Sequence, residues 1–304
     1  MKLMTPPVLL LIFNRPDHTT QVMDQIREAE PRRLYIGADG PRVDHPDDAR
    51  RCERAREVAT RVDWDCEVHT LFRDENLGCR EAVSSAITWF FEQEEEGIIL
   101  EDDCIPHRTF FSFCEKLLRK YRGDERIMMI SGTNVNETWR QKRQSYHFSK
   151  FGGIWGWATW KSAWDKYDSS MKEWNNKDCK KYIKQRVGKK DYKVLQRKYD
   201  DAYNNEVDTW DYVWNFYRVI NSGLSIVPSK NLVRNIGFGS EATHTKNEQD
   251  KRAKRRTYKL KEPYSPPPVL IADKKYDSLQ YSEETYTIRK IARFFENRIK
   301  RILL

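Results

Sequence analysis

The sequence predicts an α/β fold with a mainly parallel central sheet flanked by helices, followed by a helical C-terminal tail. Three observations carry that expectation. Over the first hundred residues, short apolar runs alternate with segments of helical spacing, a β-α-β-α-β-α-β order that argues for parallel strands joined by crossover helices. The runs Val8-Leu9-Leu10-Leu11-Ile12-Phe13 and Ile98-Ile99-Leu100 are continuously apolar, as buried strands are. The second of them ends in Glu101-Asp102-Asp103, and the carboxyl ends of strands are where open α/β sheets bind ligands.

Taken in order, Val8 to Phe13 is a strand ended by Asn14-Arg15-Pro16. Asp17 or Thr19 can cap the helix that follows, whose apolar positions include Val22, Met23 and Ile26. Leu34 to Ala38 is a second strand, terminated by the turn residues Asp39-Gly40-Pro41. Residues 47–61 are helical and charged, and Glu67 to Phe72 is a third strand. Leu77 to Gln93 has helical spacing and leads to the strand Ile98 to Leu100. Phe110 to Tyr121 is an amphipathic helix and Ile127 to Gly132 a further strand. An aromatic block from Phe151 to Trp160 precedes the Lys-rich segment 172–204, expected to be helical and solvated. Trp210 to Tyr217 is an aromatic helical run, and Leu224 to Pro228 reads as an edge strand. Asn235 to His244 is a glycine-punctuated loop.

The expected organisation is one catalytic-type unit over residues 1–245, with a nucleotide-binding half (1–135) and a second half (136–245). Residues 246–304 would form a basic flap, a proline-rich spacer and an amphipathic helix over 283–304. That helix, with Ile288, Ile291, Phe295 and Ile299 on one face and basic residues on the other, fits either an anionic membrane surface or packing on the domain.

Composition narrows the function classes. Hydrophobic residues make up 38% and charged residues 33%, so the surface is highly charged. The net charge of +9 favours anionic partners such as nucleotides or phospholipid head groups. Ten Trp and 15 Tyr suit a compact core or a carbohydrate-stacking surface. The six Cys show neither a CxxC pair nor zinc-ligand spacing and read as thiols of a reducing compartment. The run from Val8 to Phe13 is too short for a signal or membrane-spanning segment, so a cytoplasmic protein, soluble or peripheral on a membrane, is expected.

The chemistry concentrates at Glu101-Asp102-Asp103. Adjacent carboxylates repel and resist desolvation, so a bound cation is a natural reason to gather them, while a solvated turn is the plain alternative. Asp211 stands among Trp210, Tyr212 and Trp214, where partial desolvation would raise its pKa and make it a better base. Trp155, Trp157 and Trp210 can stack on sugar or build core. Arg80 is a candidate for a phosphate or base contact.

Asn14-Arg15-Pro16, Asp39-Gly40-Pro41, Asn76-Leu77-Gly78, Glu101-Asp102-Asp103, Trp210-Asp211 and the Gly-Phe-Gly loop occur in an order that resembles GT-A nucleotide-sugar glycosyltransferases. Within them it looks most like the inverting N-acetylglucosaminyltransferase I group, which includes the O-mannose-linked enzyme and bacterial relatives; the similarity covers roughly residues 7–245. The resemblance implies that Arg15 meets the donor pyrophosphate, where a guanidinium pairs bidentately with phosphate. It implies that Asp39 accepts from the uracil imide of a UDP-sugar and that Glu101 and Asp102 hold sugar or ribose hydroxyls. Asp103 would ligate a Mn2+ or Mg2+ bridging the diphosphate, and Asp211 would be the general base for the acceptor hydroxyl. His244 is a second candidate metal ligand, with Glu241 the weaker alternative. The expected transfer is of N-acetylglucosamine to a glycan acceptor, possibly lipid-linked. The chain shows no luminal anchor, which points away from a Golgi glycoprotein.

Two other readings compete. A sugar nucleotidyltransferase shares the fold and the metal logic, but Asn14-Arg15-Pro16 is too short for its signature loop. An RNA-binding protein would use the basic runs, yet these lack interleaved aromatics and any RRM or KH signature, so no nucleic-acid partner is expected.

Overall fold

The computed structural model describes residues 4–238 and 251–280. Ten strands and nine α-helices are assigned within them. In order these are β1 (Val8–Ile12), α1 (Pro16–Ala29), β2 (Arg33–Ala38), α2 (Asp48–Thr60), β3 (Glu67–Phe72), α3 (Gly78–Gln93), β4 (Glu96–Glu101) and β5 (Cys104–Pro106). Then follow α4 (Thr109–Tyr121), β6 (Ile127–Ser131), β7 (Tyr146–Ser149), β8 (Trp157–Trp160), α5 (Lys161–Trp164), α6 (Lys177–Val187) and α7 (Lys189–Tyr203). The last are α8 (Asp211–Ile220), β9 (Leu224–Pro228), β10 (Val233–Asn235) and α9 (Lys274–Gln280).

Eight strands form one sheet in the order β3-β2-β1-β4-β8-β6-β9-β7, and β5 and β10 form a separate ribbon. β3, β2, β1 and β4 are parallel, as is the pair β6 and β9. β8 runs antiparallel between β4 and β6, and β7 antiparallel along β9. The fold is therefore the expected α/β class. Its strands from either side of residue 135 interleave in a single sheet.

The continuous apolar run of β1 has a two-sided explanation. Side chains alternate along a strand. Val8, Leu10 and Ile12 join a core with Val22, Ile26, Ala55, Phe110 and Phe113, from α1, α2 and α4. Leu9 and Leu11 face the opposite way, into a core with Ile87, Phe90 and Phe91 of α3 and the rings of Trp157, Trp164, Trp210 and Trp214. A third cluster joins α6, α7 and α8 through Ile183, Val194, Leu195, Tyr199, Val213 and Phe216.

Two expectations need correcting. β9 is not an edge strand: it lies between β6 and β7, and Ser225, Ile226 and Val227 are fully buried. At that end of the sheet the edge is β7, in which His147 and Ser149 are buried along with Tyr146 and Phe148. The described part of the tail is not a loose spacer. Tyr264 packs edge-on against Phe113, Leu260 is buried, and Ala272 bridges Phe148. The expected helix over 283–304 lies outside the described residues.

α9 is latched to β7 by buried polar groups. Tyr276 packs edge-on to His147 at 4.2 Å, and Ser149 Oγ donates to Asp277 Oδ1 at 2.6 Å. Burial disfavours the charged form of both titratable groups. Burial pushes the Asp277 carboxyl up to about 6, with Ser149 and Lys150 opposing and Asp273 adding slightly. Burial drives His147 down to about 4, against Asp273 and with Arg140.

The two groups have opposite linkage. Asp277 holds a proton in the folded chain after the unfolded chain has lost it. Its contribution is present below the unfolded value of 3.8 and lost as pH rises to about 6. His147 stays neutral in the folded chain where the unfolded chain protonates, so its contribution is present above 6.5 and lost as pH falls to about 4. Over the window the two groups share their contributions oppose each other. Relative to the wild-type profile, Asp277→Asn should tilt the urea midpoint upward with rising pH across that window, and His147→Phe should tilt it downward. Parallel profiles for the two variants would rule this account out.

Candidate active site

The strand order 3-2-1-4 contains a topological switch. From β1 the chain turns one way to β2 and β3, then returns to place β4 on the other side. A crevice opens at such a point beyond the carboxyl ends of the strands. The register sets those ends level, because Leu11 pairs with Gly37 on one side and Glu101 on the other. Arg15, from the β1–α1 loop, and the acids after β4 consequently face each other across the crevice.

Arg15 Nη1 lies 3.1 Å from Asp103 Oδ2 and 3.5 Å from Asp102 Oδ1. Pro16 at the first turn of α1 fixes the backbone direction just after this arginine. Asp102 is 6% exposed and Asp103 9%, so the acidic triplet is not the solvated turn that was the plain alternative. Asp102 Oδ2 also accepts from the Phe13 backbone N at 3.3 Å. Asp103 Oδ1 accepts from Asn235 Nδ2 at 2.8 Å, and Ile236 N donates to the Asp103 carbonyl at 2.8 Å. The β5–β10 ribbon makes those contacts possible, since Asn235 pairs with Cys104. Gly237 closes over the carboxylate so tightly that any Cβ there would collide with Asp103 Oδ2.

Glu101 completes the cluster. Its Oε1 is buried without a hydrogen-bond partner among the described residues. Burial raises its pKa well above the usual carboxylate range, and the charges of Asp103, Asp102 and Asp211 reinforce the shift. Burial likewise pushes Asp102 up to about 7, although Arg15 opposes it. Asp211 opens α8, half-exposed, and accepts a hydrogen bond from Thr209 Oγ1. Its charge is felt at Glu101, Cys79 and Tyr167, so the expected base and the triplet share one region.

The residues present fit a hard divalent cation in donor chemistry. Buried carboxylate oxygens, one of them unpartnered, are the ligands Mg2+ and Mn2+ prefer. Among the described residues no group of three or more His, Cys, Asp or Glu side chains is placed to hold a metal ion. An ion here would be held by one or two carboxylates and would take its remaining ligands from water and phosphate. His244 and Glu241 lie outside the described residues.

Other expected residues have different jobs. Asp39 Oδ1 accepts from Gly40 N and Leu77 N at 2.9 Å each, and Oδ2 from Asn76 Nδ2 at 2.9 Å and Gly78 N at 3.1 Å. Each oxygen already carries two bonds, so this carboxylate organises the 76–78 loop instead of offering a free acceptor to a base. Arg80 is turned towards α7, donating to Ala202 O at 2.9 Å, Asn205 Oδ1 at 2.7 Å and Ser169 O at 2.5 Å. Trp157 and Trp210 are stacked on each other at 5.6 Å and only 1% and 2% exposed, which makes them core, not an acceptor platform. Trp155 alone of the three is half-buried, set edge-on to Phe238 with the Arg255 guanidinium 5.8 Å from its ring.

Sequence reasoning missed Asp208 and Asn235. Asp208 precedes an aromatic helix in sequence, yet it caps α3 from 129 residues away. Its Oδ2 accepts from Cys79 N at 2.7 Å and its Oδ1 from Arg80 N at 2.8 Å. Gly78, at φ +80°, leaves room for that carboxylate. Asn235 opens the glycine-punctuated loop in the sequence, but only its pairing with Cys104 reveals its contact with Asp103.

A cavity of about 1070 Å3 opens at the other end of the sheet, lined by Arg32, Arg33, Glu94, Glu96 and Arg122 at the amino ends of the strands. It holds no part of the cluster described above.

No family model matches the chain, and no curated protein matches it. Among solved structures it is similar to a mannosyltransferase from Pyrobaculum calidifontis in complex with GDP-mannose and Mn2+, at 15% identity and TM-score 0.36, over 52% of this chain and 45% of that one. It is similar to HddC from Yersinia pseudotuberculosis complexed with GMP-PN, at 11% identity and TM-score 0.32, over 52% and 77%. It is also similar to the bifunctional glycosyltransferase WbbM, at 8% identity and TM-score 0.35, over 58% and 35%. The chain thus spans less than half the length of the mannosyltransferase. Similarities this partial leave the chemistry to be argued from the site itself.

Asp208→Ala should remove both acceptors at the start of α3 and cost about 1 kcal/mol, read as a lower urea midpoint. Asp208→Asn, which keeps one acceptor oxygen, should recover part of it. An unchanged midpoint in Asp208→Ala would mean that the cap adds nothing.

Proposed function

We propose that this chain is a metal-dependent, inverting glycosyltransferase that moves a sugar, N-acetylglucosamine as the first candidate, from a UDP-sugar to a glycan hydroxyl. The observation that carries the reading is Arg15 facing the buried triplet Glu101-Asp102-Asp103 across the switch point, with Asp211 close enough for its charge to reach Glu101. One strong cation donor and several acceptor-only groups in a crevice suit a ligand carrying both phosphate and hydroxyls.

In this reading Asp103, supported by Asn235, would hold the divalent ion, and Asp102 would hold donor hydroxyls with Glu101. When bound, that ion supplies Lewis-acid neutralisation of charge on the departing diphosphate. Arg15 binds the diphosphate oxygens directly. The unpartnered Glu101 Oε1 accepts from a donor hydroxyl. Asp211 takes the proton from the acceptor hydroxyl, whose oxygen bonds to the anomeric carbon as the bond to UDP breaks, so configuration inverts in one displacement. Trp155, at the mouth beside Phe238, is the aromatic left to touch an acceptor. A base contact from Asp39 would require the 76–78 loop to release it.

Isothermal titration of UDP in the presence and absence of Mn2+ tests the donor site. Metal-dependent binding should be lost in Asp103→Ala. Equal binding with and without metal would refute the metal assignment, and preference for GDP over UDP would reassign the base. Asp211→Asn should keep donor affinity and lower turnover on the order of 100-fold or more. Retained turnover would move the base elsewhere. Release of pyrophosphate from a nucleoside triphosphate and a sugar phosphate would instead favour a nucleotidyltransferase.

A further inference from the structure

We propose that the outer face of the α6–α7 pair is a docking surface for an anionic lipid bilayer. Residues 177–198 hold ten Lys and Arg against two acids, so eight of the chain's nine net positive charges fall within 22 residues. One of the two acids, Asp191, is buried, which leaves Asp178 alone among the exposed cations.

The placement is ordered by the helices. Lys177, Lys181 and Lys184 recur at intervals of four and three along α6, and Lys189, Lys193 and Arg197 at intervals of four along α7. Each series therefore lines one face and is exposed. Ile183, Val187, Val194 and Leu195 are buried beneath, against Trp174 and Phe216, so the cations stand on a packed platform. Arg197 lies 3.9 Å from Asp201; among the described residues no carboxylate lies within 4 Å of the five lysines. Like charges one turn apart destabilise a helix. Of the ten, Lys180 and Lys198 lie over the rings of Trp174 and Tyr212 and Arg186 donates to Gly223 O; the outward lysines are left for an anionic surface to neutralise.

The shape selects a bilayer. Two helices side by side spread the cations in two dimensions, while a linear polyanion would be met by a groove with a series of stacking rings. Tyr182, 37% exposed among the lysines, is a ring suited to the head-group level. Among the described residues no helix is long and apolar enough to cross a membrane, so this contact would be peripheral. α7 runs into the loop carrying Asp208, which leads to Asp211 at the start of α8, and this would hold that side of the crevice close to the lipid.

The inference does not depend on the proposed reaction, and its test involves no turnover. The full-length protein is sedimented with phosphatidylserine-rich vesicles and with pure phosphatidylcholine vesicles at about 0.1 M salt. The fourfold variant Lys181→Gln, Lys184→Gln, Lys189→Gln and Lys193→Gln should lose on the order of 100-fold in partitioning to the anionic vesicles. A control with the same change in charge, Lys142→Gln, Lys261→Gln, Lys274→Gln and Lys275→Gln, should stay within several-fold of wild type. Any contribution from the basic residues after 280 is common to both variants. Circular dichroism melting confirms that both fold. Undiminished binding by the hairpin variant, or equal losses in the two variants, would overturn the proposal. So would equal binding to phosphatidylcholine, or tighter binding to a single-stranded oligonucleotide than to anionic vesicles.

Discussion

The ion pair between Arg15 and the acids after β4 is the constraint on which the crevice depends. Carboxylates as buried as Asp102 and Asp103 are costly unless paired and hydrogen-bonded. Arg15 supplies one partner, Phe13 N a second and Asn235 a third. These partners come from the end of β1 and from β10, so satisfying the triplet brings together chain segments more than 200 residues apart. The β5–β10 ribbon is the backbone expression of that requirement, and the missing side chain of Gly237 is its steric expression.

A second set of acids performs a different task with the same chemistry. Asp39 and Asp208 spend their oxygens on backbone N–H groups at the start of α3, and Arg80 spends its donors on the end of α7. The helix terminus beside the crevice is thus closed by protein groups. An anion entering the site would meet Arg15, not the N–H groups of that helix. This division separates residues of one charge type into those that build the rim and those left for a ligand. Glu101, with an oxygen buried and unpartnered, belongs to the second group.

The sequence was most legible where a local pattern had a local cause. β3 matches its expected span residue for residue, and the remaining expected strands and the helices α2, α3 and α4 agree to within two residues, because periodicity and turn residues act at short range. Long-range pairing was not legible. β7 was not picked out, because what covers its His and Ser is α9, more than 120 residues further along, and β9 reads as an edge because nothing local reveals the strand that covers it. The triplet and Arg15 could be picked out by type and order. Asp39 and Arg80 were equally plausible by type, and what decides their roles is which backbone groups lie within 3 Å, a property of the assembled fold. The tryptophans divided on the same ground: Trp157 and Trp210 face the inner core, while Trp155 precedes the strand and stays at the mouth.

Charge balance in the crevice bears directly on the proposed donor. Glu101, Asp102, Asp103 and Asp211 are four potential anions, and the guanidinium of Arg15 is the cation paired with them. A diphosphate entering with all four ionised would be repelled at short range in a medium that screens poorly. Burial and mutual repulsion already push Glu101 and Asp102 towards the protonated form, which removes part of that charge without any ligand. Protonated carboxyls, however, can donate to phosphate but cannot neutralise it. A divalent cation arriving with the donor would offset both the carboxylates and the diphosphate, and would draw the protons off the acids it meets. Donor and metal affinities should then be strongly coupled, each weak without the other, and metal binding should release protons. A crevice whose acids outnumber the arginine paired with them is consistent with a nucleotide site only on that condition.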